Sequence, residues 1–419
     1  MTETRMGEVY ELDLGPEFFR HPQQVAAPLL AAGARSARVP RLNTTILLRH
    51  ADVHAALLDR RFGAMGVRYY EEQGWTEGPF IDWARRTVVF LDPPVHDRLR
   101  ALVNRAFSPR QVAKVRPITE RIAEQLANNA AERGEVDFYE AFAQRLPLQV
   151  ICEVLGIDSV DCEEVGRWTA ALNLVAGLLS PEQKRAADDA LLAFDEYVRR
   201  LIAERRLEPR GDLLSALIAA EEAGDRLSTE ELVAMVVQML FAGHETTRNL
   251  IGNGLYTLIE HPEELAKLQR DRSLMKSAVE EMLRYEPPIT FVSRVVLEDV
   301  SLGGVDFKTN QMVMLGIASA NRDPKVFTLP DEFDVGRREN RHLTFGFGAH
   351  FCLGASIARM EGRVAFEALL ERFESFEFAN GTPPRFAGDS ALRTLESFPI
   401  RLHPRNGRSS NSSGKSTHH

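Results

Sequence analysis

Apolar residues recur at spacings of three and four over 97–106, 111–131, 139–155, 186–206, 229–260, 273–286 and 354–372, which predicts helices there. Strict alternation is confined to two places. Arg38–Arg41 and Thr45–Arg49 flank Leu42-Asn43 and predict a short hairpin. Arg294–Ala318 reads as strands broken by turns at Gly303-Gly304 and Thr309-Asn310. Residues 62–90 have weak periodicity yet carry Tyr69, Tyr70, Trp75, Phe80 and Trp83, and a long aromatic loop in such a chain is expected to be functional. The pattern predicts a mainly α protein with small β-sheets, an α+β chain.

One predicted helix breaks its own rules. Ser228-Thr229-Glu230-Glu231 is a capping box and His261-Pro262 a stop, so the helix over 229–260 spans about 30 residues, or about 45 Å. Its first half is apolar on nearly every side, which implies burial. Leu232–Ala242 is the longest apolar run of the chain, and Gln238 interrupts it. Midway lies Ala242-Gly243-His244-Glu245-Thr246-Thr247, a poor helix former. Thr246 bonding back to the Ala242 carbonyl would bend the helix without any chemistry. A buried helix that violates its propensities is also where function is expected.

Length and charge narrow the classes. At 419 residues the chain could hold two or three domains, but no linker or repeat divides it, so residues 1–404 are expected to form one domain. Residues 405–419 are polar, end in His-His, and read as a disordered or appended tail. A net charge of −9 argues against nucleic acid and anionic membrane as partners. No run of 18 apolar residues occurs and Met1–Asp13 has no apolar core, so no membrane anchor is expected. Three cysteines are too few and scattered for a disulfide framework or zinc site, which fits a reducing cytoplasm.

The sharpest signal is Phe345-Gly346-Phe347-Gly348-Ala349-His350-Phe351-Cys352-Leu353-Gly354. Gly346 and Gly348 allow a tight turn and close approach to a flat partner. Cys352 falls just before a predicted helix, where free N–H groups favour an anion and should lower a thiol pKa. The alternative is a small buried hydrophobe.

The spacing Phe345-x-x-Gly348-x-x-x-Cys352-x-Gly354 resembles the haem-binding loop of the cytochrome P450 family, and the resemblance runs from about residue 10 to 403. It implies a triangular helical haem domain with a minor β lobe, holding haem b (iron protoporphyrin IX) with Cys352 as axial iron ligand. Phe345, Gly346 and Ala242 would border the haem, with Gly243 leaving room above it. Glu245 and Thr246 would be the acid–alcohol pair that delivers protons.

In the family's pattern Glu281 and Arg284 form a buried ion network with Arg337, although an exposed pair at that spacing would mean little. His96 and Arg100, one helical turn apart, would hold haem propionates together with Arg294 and His350, the bland alternative being a solvated face. Arg359 and His244 are expected to be structural. Arg98, Arg105, Arg110, Lys114 and Arg116 could steer an acidic electron donor, or simply face solvent. Val88, Val89, Leu172, Val175, Met239, Thr290, Phe291, Val292 and Leu395 would line the pocket, and Arg68, Tyr69 and Tyr70 could anchor a polar substrate group.

The resemblance therefore implies a soluble bacterial haem-thiolate monooxygenase that inserts one oxygen atom of dioxygen into an organic small molecule by hydroxylation or epoxidation. The substrate would belong to secondary metabolism or to lipid or terpenoid oxidation. Electrons would come from a separate ferredoxin or flavodoxin with an NAD(P)H-dependent reductase. Oxidative coupling, desaturation and peroxygenase chemistry stay open, as does a non-catalytic haem sensor.

Overall fold

The computed structural model describes residues 10–106, 109–177, 179–222 and 227–405. The longer helices are α1 (Pro22–Ala31), α2 (His50–Leu58), α3 (Val95–Ala106), α4 (Pro109–Arg133), α5 (Arg145–Leu155) and α6 (Cys162–Asn173). They continue as α7 (Pro181–Leu207), α8 (Leu213–Glu222), α9 (Thr229–Glu260), α10 (Pro262–Arg270), α11 (Met275–Tyr285) and α12 (Ala355–Arg372). Strands are few and short. β1 (Ser36–Val39), β2 (Thr44–Leu47), β3 (Phe62–Ala64), β5 (Phe291–Val296) and β8 (Met312–Gly316) form one sheet, in the order β1-β2-β8-β5-β3. β4 (Glu135–Asp137), β9 (Phe373–Phe378) and β10 (Pro399–Pro404) form a second, and β6 (Val300–Leu302) pairs with β7 (Val305–Phe307).

The expected α+β class holds, and so does the hairpin. Asn43 closes it at φ 45°, in the left-handed region that asparagine tolerates. α9 begins and ends where its capping box and proline place it, because both signals are local: Ser228 accepts from the Glu231 N–H and Glu231 from that of Ser228. The predicted helix over 139–155 is divided instead, a π-turn at Tyr139–Ala143 preceding α5.

Residues 62–90 are not an open loop. They fold into β3 and several short helical turns, and Tyr69, Tyr70, Trp75, Phe80 and Trp83 are all buried. Trp75 stacks on Phe80 at 4.6 Å and Tyr70 meets Phe80 edge-on at 4.7 Å. Trp83 donates its indole N–H to the Ala234 carbonyl on α9 at 3.2 Å. This aromatic core packs with α6, α7 and the first half of α9.

A second core joins α4, α5, α11, α12 and the three-stranded sheet to the other half of α9. The apolar positions of α9 up to Leu240 belong to the first core, and those from Leu250 onward to the second. Residues 241–249 bridge the two. Among the described residues, no helix is long and apolar enough to cross a membrane.

Candidate active site

Residues 343–354 form a tight loop ahead of α12. The Gly346 N–H bonds the Leu343 carbonyl at 2.8 Å and the Cys352 N–H returns to the Phe345 carbonyl at 2.9 Å. Gly346 and Gly348 sit at φ 68° and 70°, conformations that glycine adopts without strain. A Cβ on Gly348 would come within 2.6 Å of the Leu57 carbonyl oxygen, so the close approach that requires glycine there is to the end of α2.

Cys352 is solvent-accessible and lies just before the N-cap of α12. Backbone N–H groups of Gly354 and Ala355 and the charges of Arg100 and Arg359 all favour the thiolate. Enclosure by surrounding protein atoms outweighs them and raises the thiol pKa. The expectation that the loop alone lowers it is thus not met. A cationic metal on sulfur would reverse that balance.

His96, Arg100, Arg294 and His350 converge. The His96 and His350 rings lie 4.3 Å apart, and Arg100 donates to the Phe351 carbonyl at 2.5 Å, beside Cys352. Burial, followed by the charges of Arg294, His96 and Arg100, pushes His350 down to about 3. Burial lowers Arg294 to about 10. Two arginines and two imidazoles gathered around a cysteine loop offer donors to carboxylates, and a haem has two. The donor set and the thiol fit a haem.

Above α5, α9 opens. From Leu232 to Leu255 the residues not buried are Gln238, Phe241, Ala242, Gly243 and Thr246, with Ala242 the most open. Thr246 Oγ1 donates to the Ala242 carbonyl at 2.7 Å, the bond expected of the bland alternative, while the helix continues unbroken. A Cβ on Gly243 would meet Ile151 at 3.7 Å, an ordinary contact within the chain.

Glu245, expected to feed protons, is only 1% exposed. Its carboxylate lies 2.5 Å from Arg248 and 3.1 Å from His244 Nδ1. Arg248 in turn sits 4.9 Å over the Tyr139 ring. The acid is held as a buried ion pair.

Glu281, Arg284 and Arg337 form one network. Arg284 is bidentate to Glu281 at 2.8 Å, and Arg337 Nε lies 3.0 Å from both carboxylate oxygens. The remaining Arg284 protons reach the carbonyls of Asn321, Pro330 and Glu332. A neighbouring network, invisible in the sequence, joins Glu280 to Arg359 at 2.7 Å and to His342 at 3.1 Å. Its hydrogen bonds and charges overcome burial and hold Glu280 down to about 2. Arg359 also covers the Phe345 ring at 4.2 Å, fastening the start of the cysteine loop to α11.

The expected pocket residues scatter. Val88, Leu172, Val175 and Met239 lie in the first core, Val89 is exposed and Val292 partly so. Thr290 is buried and bonded to the Ala391 carbonyl at 3.1 Å. Phe291 turns the other way, onto Phe18 at 6.2 Å, because strand neighbours face opposite sides and Val292 and Arg294 share the partly open one. Leu395 is sealed in the second core. Tyr69 and Tyr70 are buried, the Tyr69 hydroxyl donating to the Gly177 carbonyl at 2.9 Å, and Arg68 pairs with Glu72 at the surface.

Within the basic stretch Arg98 pairs with Glu231, and Arg116 with Glu120 and Glu367 at the surface. The side chains of Arg105 and Arg110 lie outside the described residues.

The sequence model of the family described as Cytochrome P450 matches residues 41–396. The chain is 40% identical over 324 residues to the polyketide biosynthesis cytochrome P450 PksS of Bacillus subtilis (strain 168), spanning 77% of this chain and 79% of the relative. It is 38% identical over 395 residues to the vitamin D(3) 25-hydroxylase of Pseudonocardia autotrophica, spanning 93% and 95%. The crystal structure of CalO2 superposes with a TM-score of 0.88 at 32% identity, covering 94% of this chain and 100% of that one.

Proposed function

Because the chain belongs to the cytochrome P450 family and is a P450 monooxygenase, we propose that it oxidises a large, mostly apolar natural product by hydroxylation or epoxidation. Relatives named for polyketide biosynthesis and vitamin D(3) hydroxylation support that substrate class. So does the opening of α9 at Ala242, Gly243 and Thr246 between two apolar cores, the single observation that carries the proposal. Secondary-metabolite, terpenoid and fatty-acyl skeletons are the candidate classes. The enzyme would act in the cytoplasm, where Cys152, Cys162 and Cys352 stay free.

Haem b would be held by Cys352 on iron and by His96, Arg100, Arg294 and His350 on its propionates. Bound there, it supplies dioxygen activation and oxygen-atom insertion. The chain supplies the rest. The N–H groups of Gly354 and Ala355 would help to stabilise negative charge on Sγ once a metal offsets the cost of its enclosure. The Thr246 hydroxyl, oriented by the Ala242 carbonyl, holds a proton where α9 is open. Glu245, one residue away and restrained by Arg248, would accept and pass on protons behind that hydroxyl. The apolar cores exclude bulk water from Glu245. Electrons would arrive from a separate ferredoxin or flavodoxin and its NAD(P)H-dependent reductase.

The test is a panel of polyketide, terpenoid, sterol and fatty-acyl compounds. Binding is read as a low- to high-spin shift, and turnover as product formed with a ferredoxin and reductase. An apolar compound that shifts the spin state and gains one oxygen atom is the expected result. NADPH consumption with no oxygenated product across all classes would overturn the proposal.

A further inference from the structure

We propose that Gln238 is a recognition site for a hydroxyl group on the substrate, a role that rests on the monooxygenase reading and specifies its substrate further. Gln238 is the one polar side chain between Leu232 and Ala242, where burial would favour an apolar residue. Every other residue from Leu232 to Leu240 is buried, and Gln238 alone is partly exposed.

Its direction follows from the helix period. Gln238, Ala242 and Thr246 are spaced i, i+4, i+8 and share one face of α9, and all three are open. At the standard rise, Gln238 stands about 6 Å from Ala242 and about 12 Å from Thr246 along the axis. That puts it at the far end of the face where oxidation is proposed. The buried Trp83, bonded to the Ala234 carbonyl, borders it one turn earlier.

The fold gives the Gln238 amide nothing to do. Its Oε1 is shielded from solvent and has no hydrogen-bond partner. Leaving such an oxygen unpaired is unfavourable, and a substrate hydroxyl would offset that cost. Asn173, at the end of α6, has a second unpartnered amide oxygen. α6 meets α9 through Thr169 and His244, so the two amides stand on adjoining helices. An alcohol suits an amide in either orientation, since it both donates and accepts.

The probes are 1-alkylimidazoles and the matched ω-(imidazol-1-yl)alkanols, in a series of chain lengths that sweeps the hydroxyl along α9. Each is titrated optically into the haem-loaded enzyme and into its Gln238→Leu and Gln238→Met variants, with the carbon monoxide spectrum confirming an intact site. In the wild type, one chain length should favour the alkanol over its parent by about five- to tenfold. Both variants should lose that preference while binding the parent alkylimidazole as well or better. An alkanol-to-alkyl ratio that is the same in wild type and variants at every length overturns the proposal. Failure of the plain alkylimidazoles to give a nitrogen-ligated spectrum would instead remove the haem reading on which it rests.

Discussion

Thr169 Oγ1 on α6 and His244 Nδ1 on α9 lie 2.9 Å apart, both fully buried. Thr169 Oγ1 is also 3.0 Å from the Gly166 carbonyl, to which its proton goes, so the histidine N–H is the donor to Thr169. The same nitrogen is 3.1 Å from Glu245. One imidazole thus ties α6 to the residue that carries the buried acid. Thr169→Val should leave that N–H without its Thr169 partner and cost about 1–3 kcal/mol, measured by denaturant unfolding.

The same histidine has a pH signature. Burial holds His244 down to about 4, against 6.5 for a free side chain. Between those values the unfolded chain binds the proton and the folded chain does not, so stability is lost as pH falls through this window. The contribution is at most about 3 kcal/mol. His244→Phe should flatten the loss of melting temperature between pH 7 and about 5 relative to wild type. An unchanged slope would mean that the imidazole is charged in the fold.

Glu361 on α12 has the opposite sign. It is buried with Oε2 unpartnered, and burial alone pushes its carboxyl up to about 8. The folded state therefore keeps a proton that the unfolded state releases, and stability falls as pH rises from about 4.5 towards 8. Glu361→Gln should raise the melting temperature, and more at pH 8 than at about pH 6. Equal effects at both pH values would contradict the protonated form.

Glu281 anchors two arginines. Glu281→Gln leaves Arg284 and Arg337 facing a neutral amide in a buried site, at an expected cost of about 3–5 kcal/mol. The loop bearing Cys352 follows this network in the chain, so soluble yield and haem content should fall together. Full haem retention in the variant would show that the loop does not depend on it.

Thr246→Ala removes the hydroxyl on the open face of α9 while leaving the Ala242 carbonyl bonded within the helix. With a competent redox pair, product per NADPH should drop and hydrogen peroxide rise, and Thr246→Ser should restore coupling. Unchanged coupling in the alanine variant would exclude this hydroxyl from proton delivery.

What could be foreseen follows the range of each interaction. α9 was legible to the residue, since Ser228, Glu231 and Pro262 act within a turn of its ends. Cys352 and its glycines form a local motif, and Glu281 and Arg284 are helical neighbours. The Glu245–Arg248 spacing was equally visible, but nothing local said that the pair would be buried. The packing of residues 62–90 was not legible because their aromatics pack on α9, over 140 residues away in the case of Trp83 and Ala234. The Thr169–His244 and Glu280–Arg359 contacts, 75 and 79 residues apart, leave no periodic trace at all.

The central claim is that Cys352 presents a thiolate to haem iron. The most direct measurement is the carbon monoxide difference spectrum of the reduced, haem-loaded protein beside its Cys352→Ser variant. The red-shifted band of a thiolate-ligated haem should be present in the wild type and absent in the variant. Persistence of that band without Cys352, or its absence from the wild type, would contradict the assignment.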